Sequence, residues 1–288
     1  MHFVTVDVET ANEWFASICQ LGMARFEDGQ LVDTFKSYVN PQTYFSPINV
    51  HIHGIDEDTV EGAPTWEEVQ QNATRWITDQ IVGCHTHFDR VATADACDRY
   101  GLPPWTCQWL DTARVTRRAW PEFAYSGYGL SDIASYLGIS YKAHDALEDA
   151  VCAGKVLQHA IDNSGITLED WFVRVRRPIH LGTGTNCDSE KRVGELEGLL
   201  QGEVLVFTGS LSLRRTEAAD LAAKAGCNVD SGVTKRTTLL VVGDQDLSKL
   251  AGKEKSSKHL KAESLIQTGQ QIRILAESDF IKLISVAA

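Results

Sequence analysis

Residues 3–8 form a short apolar run that reads as a strand, and residues 18–39 alternate as two further strands joined by a Glu27-Asp28-Gly29 turn. From Pro64 the period lengthens. Trp66, Val69, Ala73, Trp76 and Ile77 recur at three- and four-residue spacing, which predicts a helix before a second apolar strand around Gln80 to Cys84. Helical patterning returns from His87 to Tyr100, and two more helices are predicted over 130–137 and 145–162. The latter carries Ala146, Ala150, Ala153, Val156 and Leu157 on one face. The first half is therefore mixed α/β.

Residues 163–197 break the pattern with Arg174, Arg176, Arg177, Pro178 and a Gly182-Thr183-Gly184-Thr185-Asn186 stretch, which is loop chemistry. This places a first domain at 1–165, a linker at 166–197 and a second domain at 198–288. In the second domain, predicted strands at Val204–Thr208, Thr238–Val242 and Ile272–Leu275 alternate with helices at Thr216–Ala225, Ser257–Thr268 and Ser278–Ser285. Single helices between strands imply a small parallel sheet.

At 288 residues and 43% hydrophobic content, the chain can bury a core in each domain. No apolar run approaches the length of a membrane helix, and the start lacks the basic and apolar regions of a signal peptide, so the expected location is cytoplasmic. Seven scattered cysteines without a C-x-x-C pair indicate neither a disulfide framework nor zinc; they read as reduced and mostly structural. The net charge of −12 is unevenly placed: residues 1–162 hold 23 acids and 10 bases, whereas the remainder is nearly balanced. So acidic a domain argues against phosphate binding by basic side chains, unless a divalent cation reverses the local field.

Asp7 and Glu9 stand two apart in Val6-Asp7-Val8-Glu9-Thr10, which on a strand turns both carboxylates to one face. Two acids meeting there call for a cation, and magnesium suits a few carboxylates completed by water and phosphate oxygens. Asp89 follows a predicted strand end at Cys84-His85-Thr86-His87-Phe88, and His144 and Asp149 lie five apart at a helix start.

In this order, with His53-Gly54-Ile55 between the first two segments, these motifs resemble the DEDD exonuclease superfamily. The subclass is the one with a catalytic histidine, which includes the proofreading subunit of bacterial replicative polymerases. The tyrosine of the other subclass would stand at position 145, which here is Asp145. The resemblance implies an RNase H-like fold, with Asp7, Glu9, Asp89 and Asp149 holding two magnesium or manganese ions and His144 as general base. It implies hydrolysis of the terminal 3' phosphodiester of DNA to nucleoside 5'-monophosphates, in repair or proofreading. Thr10, His53 and Phe88 are the implied substrate contacts; His85-Thr86 replaces the His-Asn common in the family. Trp14, Phe15, Trp105 and Trp109 offer rings either for base stacking or for the core.

The second domain resembles a BRCT domain of the bacterial DNA ligase type, on Phe207-Thr208-Gly209, Leu240-Val241-Val242-Gly243 and Ser257-Lys258 through Lys261-Ala262, with Phe280 near the place of a common tryptophan. The resemblance implies that Thr208, Gly209 and Lys258, with Arg214 or Arg215, grip a phosphate. Lys249, Lys253, Lys255, Lys258 and Lys261 form a basic cluster able to hold a DNA end. A replication or repair protein is the other implied partner. An RNA substrate, and a non-catalytic end-binding or scaffold role, are the alternatives.

Overall fold

The strand that carries Asp7 and Glu9, β1 (His2–Thr10), runs through the middle of a five-stranded sheet in the computed structural model, which describes residues 1–124, 127–177, 179, 191–195, 198–243 and 255–285. It pairs antiparallel with β2 (Ile18–Glu27), and β2 with β3 (Gln30–Tyr38). On its other side it pairs parallel with β4 (Ile81–Cys84), which pairs with β5 (Gln108–Asp111), giving the order β3-β2-β1-β4-β5. Asp28 and Gly29, at φ 47° and 82°, supply the left-handed two-residue turn that closes a tight hairpin. β1 and β2 are buried on both faces and read as apolar runs, while edge strand β3 is largely exposed and polar.

A 19-residue helix, α6 (Ala146–Ser164), lies along β1 and β2 with its alanine face buried as predicted. Two glycines let it come close. A Cβ at Gly22 would fall 2.1 Å from the Ala146 carbonyl carbon, and one at Gly154 would fall 2.1 Å from the Phe26 ring. Phe26 in turn stacks on Phe3 at 5.0 Å.

Among the helices and strands of the first unit, α1 (Pro47–His53), β5, α4 (Thr112–Ala119) and α7 (Leu168–Arg174) escape the sequence pattern. The helices α2 (Trp66–Ile77), α3 (Phe88–Arg99) and α5 (Leu130–Leu137) match their predicted ranges closely. α7 occupies part of the stretch expected to be linker. Its Leu168 and Trp171, with Val175 just beyond, are buried in the same core as Phe3 and Leu157, and the chain divides into two units after Ile179. Burial of a tryptophan explains why this short helix belongs to the first unit.

The second unit has an all-parallel sheet in the order β7-β6-β8-β9, built from β6 (Val204–Thr208), β7 (Asn228–Val229), β8 (Leu239–Val242) and β9 (Arg273–Ala276). The helices α8 (Arg215–Lys224), α9 (Ser257–Gln267) and α10 (Glu277–Ser285) alternate with the strands, and Phe280 meets Phe207 edge-on at 5.5 Å. Pro178, the Gly182–Asn186 stretch, Cys187, Lys249 and Lys253 lie outside the described residues. Among those described, the six cysteines are free and no helix is long and apolar enough to cross a membrane.

Candidate active site

Asp7, Glu9 and Asp149 bring carboxylate oxygens within 4.8 Å of one another. The first two sit on one side of β1, with Val8 between them buried on the other. Asp149 arrives from the first turn of α6, which the missing side chain at Gly22 admits to the sheet. There the Ala146 N–H donates to Gln20 Oε1 at 2.7 Å, and Gln20 pairs across the ladder with Glu9. A register shift between Glu9 and Thr10 ends the regular pairing at the edge of this cluster.

Asp89 hangs from α3 and lies outside that trio, but it is tied to the same strand. The parallel ladder of β1 with β4 stops at Thr5 and Gly83, and beyond it the Val8 N–H donates to Asp89 Oδ1 at 3.2 Å. Asp89 is 2% exposed, and its charge is one of those acting on Asp149.

The Asp149 carboxyl is pushed up to about 7, first by burial and then by the charges of Asp89 and Asp145, against backbone hydrogen bonds from His144 and Asp145 that favour the anion. Burial would raise the Asp145 carboxyl, but Lys36, whose ammonium donates to it at 2.6 Å, together with a backbone hydrogen bond from Glu148 and the charge of Lys142, holds it below its ordinary value. His144, partly buried, occupies the turn before α6 in a left-handed conformation at φ 63°. Thr86, where a His-Asn pair would put asparagine, is likewise left-handed at φ 75°, an unusual place for a β-branched residue.

His53 closes α1 within electrostatic reach of His144. Its Nδ1 accepts from the Ile55 N–H at 3.0 Å, so Nε2 carries the proton and donates to the Thr10 carbonyl at 3.1 Å. Burial foremost pushes this imidazole down to about 4 and keeps it neutral. Thr10 is thus fixed by its carbonyl, which also accepts from Asn49 Nδ2 at 2.9 Å. Phe88 is 4% exposed and packs on Phe15 and His87, at 6.1 and 5.8 Å. Of the other rings, Phe15 is buried, and Trp105 stacks on Trp109 and meets Trp66 at a tilt.

Sequence reasoning misses Gln20, Gly22, Lys36 and Asn49. Gly22 alone leaves a signal, a glycine inside a strand, which marks close approach of another backbone. His85 stands out in the sequence only through its neighbour, yet its ring bridges Thr112 Oγ1 at 3.0 Å and the Tyr128 carbonyl at 2.8 Å, tying the start of α4 to this end of the sheet.

In the second unit the predicted phosphate residues converge on the end of β6. Thr208 is buried, its hydroxyl 2.6 Å from that of Ser256. Arg215 donates to the carbonyls of Phe207 and Gly209 at 3.0 and 2.6 Å, and Lys258 to Phe207 at 3.0 Å.

Residues 4–157 match the family model for exonucleases, and residues 195–267 match that for the BRCA1 C-terminal (BRCT) domain. The PolC-type DNA polymerase III of Staphylococcus haemolyticus is 27% identical over 196 residues, covering 62% of this chain and 13% of the polymerase; that of Staphylococcus aureus is 26% identical over the same span. The chain thus spans about an eighth of the length of these curated relatives. Exonuclease I from Methylocaldum szegediense superposes with a TM-score of 0.52 at 18% identity, over 62% of this chain and 43% of that one. Exonuclease I from Escherichia coli, in a complex with single-stranded DNA, gives 0.52 at 17% identity, over 60% and 42%. At such identities the likeness concerns the fold.

Proposed function

Because the exonuclease model covers more than half of the chain, the chain belongs to that family and carries a C-terminal BRCT domain, and from this premise we propose that it is a metal-dependent 3'-to-5' exonuclease acting on DNA in repair or proofreading. The observation that carries the reading is the convergence of Asp7, Glu9 and Asp149 within 4.8 Å, with Asp89 bonded to the strand between the first two. The donor set fits hard divalent cations: it is all carboxylate oxygen, and burial first, then the charges of Asp89 and Asp145, have pushed one member toward neutrality. Asp7, Glu9, Asp89 and Asp149 would hold two magnesium or manganese ions. When bound, such a pair supplies activation of the attacking water and stabilisation of the leaving oxygen.

The chain's own groups do the rest. His144 accepts the proton from the attacking water as the general base. His53, neutral and fixed in one tautomer, holds Thr10 at the end of β1, where both can meet the terminal sugar. Phe88 supports this wall from within the core. The product is a nucleoside 5'-monophosphate. DNA is preferred to RNA because the relatives are DNA polymerases and because of the BRCT domain. At that domain, Thr208, Gly209, Arg215 and Lys258 are proposed to receive a phosphate, exchanging hydrogen bonds they now make to the chain.

The test is degradation of end-labelled DNA and RNA oligonucleotides, single- and double-stranded, with magnesium or manganese. Asp7→Ala should abolish 3' trimming and His144→Ala should slow it by about 10²–10⁴-fold. Native rates in both variants would overturn the mechanism.

A further inference from the structure

The first unit is acidic, with 25 acids against 13 bases through residue 179, yet six of those bases are arginines gathered around α4 and the end of α7. Arg118 is the hub. Its Nε and Nη2 donate to the Arg177 carbonyl at 3.1 and 2.8 Å, and its Nη1 donates to the Arg114 carbonyl at 3.1 Å. Carbonyl oxygens take three of its five N–H donors without neutralising its charge. Burial first, then Arg114, Arg117 and Arg174, push Arg118 down to about 9, with Asp111 the one carboxylate acting in the other direction. Arg176 and Arg177 are exposed where the helix ends. The acids of α7, Glu169 and Asp170, stand in its first turn, and Asp170 is engaged by the Thr167 cap.

Like charges gathered this closely favour an anion, and the helix that carries the cluster starts at the end of the sheet where the candidate active site lies. α4 follows β5 directly, and Thr112 at its start touches His85. Arg114 and Arg118 lie one turn apart along the helix leading away, with a rise of about 6 Å. Arginine suits phosphate because its planar fork is charged at every working pH.

We propose that Arg114, Arg118, Arg174, Arg176 and Arg177 form a track for the phosphodiester backbone of a nucleic-acid strand whose 3' end lies at the carboxylates. The proposal rests on the exonuclease reading for the identity of the polyanion. It resolves the charge conflict within the first unit itself: the phosphates approach along the arginines, so the strand need not depend on the second unit for its grip. Arg117 plays a different part, since it is buried, donates to the Ala124 carbonyl at 3.0 Å and lies over the Tyr128 ring.

The test is fluorescence anisotropy with the full chain, using a 20-nucleotide and a 4-nucleotide single-stranded DNA protected at the 3' end by phosphorothioate linkages, over a salt series. For the 20-mer, combined Arg174→Gln, Arg176→Gln and Arg177→Gln should weaken binding about tenfold or more and make the log–log salt dependence shallower by about two, at roughly 0.7 for each phosphate no longer neutralised. Binding of the 4-mer should hardly change, and the three lysine replacements should keep the slope. An unchanged slope in the glutamine variant overturns the proposal, as does equal weakening by lysine, which would reveal a structural role. If the triple variant does not fold, Arg176→Glu at its exposed position gives the same decision. The readout needs no cleavage, so a failure of the nuclease reading shows separately, as an inert native chain on unprotected DNA.

Discussion

Asp149 is where burial and charge collide. Its folded value of about 7 stands above the ordinary 3.8, so the folded chain keeps a proton that the unfolded chain has given up. That contribution to stability is fully present at and below about pH 4, is lost as pH rises toward 7, and changes no further above it. The metal-free native protein should therefore melt at falling temperature across this window, and Asp149→Asn should flatten the trend. Magnesium competes with the same proton, so the gain in melting temperature that it gives should grow over the same range. Identical pH profiles for the native chain and the asparagine variant would refute this. At this scale, Asp7, Glu9, Asp89, His144 and Asp149 are legible because each sits at a strand end or helix start with distinctive spacing. Gln20 and Lys36 are not. Nothing local distinguishes them, and their partners Ala146 and Asp145 lie more than a hundred residues away.

Among the elements, α6 has the most exacting placement. A methyl at Gly22 meets backbone of Ala146 and Leu147 within 2.2 Å, and backbone cannot swing aside as a side chain can. Gly22→Ala should thus cost about 1–3 kcal/mol in urea unfolding and depress exonuclease activity further than that loss explains, because Asp149 rides on the displaced turn. Activity equal to the native level would show that the close approach does not position the carboxylate. Most plainly legible in advance are the long or strictly periodic elements, the β1–β3 meander, α2 and α6, and among short ones the apolar β4 and the amphipathic α5. Those missed are short. β5 has four residues, α7 seven, and α4 eight, three of them arginine; such segments draw their stability from tertiary packing rather than from internal pattern.

For the whole molecule, the division after Ile179 makes α7 part of the first unit. A fragment of residues 1–179 should fold and melt cooperatively, whereas one ending at 165 should be destabilised by several kcal/mol through loss of the buried Leu168 and Trp171. Equal melting temperatures would sink this expectation. The sharp contrast in charge between the two halves is legible from residue counts, but the arginine cluster is not, because its members come from segments about sixty residues apart that only the fold unites. The same reach across the chain governs which pieces of it can assemble the carboxylate cluster. Asp7 and Glu9 precede Asp149 and the helix that carries it by some 140 residues, and Thr5 Oγ1 donates to the Ala150 carbonyl at 2.7 Å, tying the strand to that helix. A chain cut before α6 keeps Asp7, Glu9 and Asp89 but lacks Asp149 and the helix that packs on the strand, so the carboxylate cluster stays open on one side and one proteolytic cut near residue 145 should disable the site.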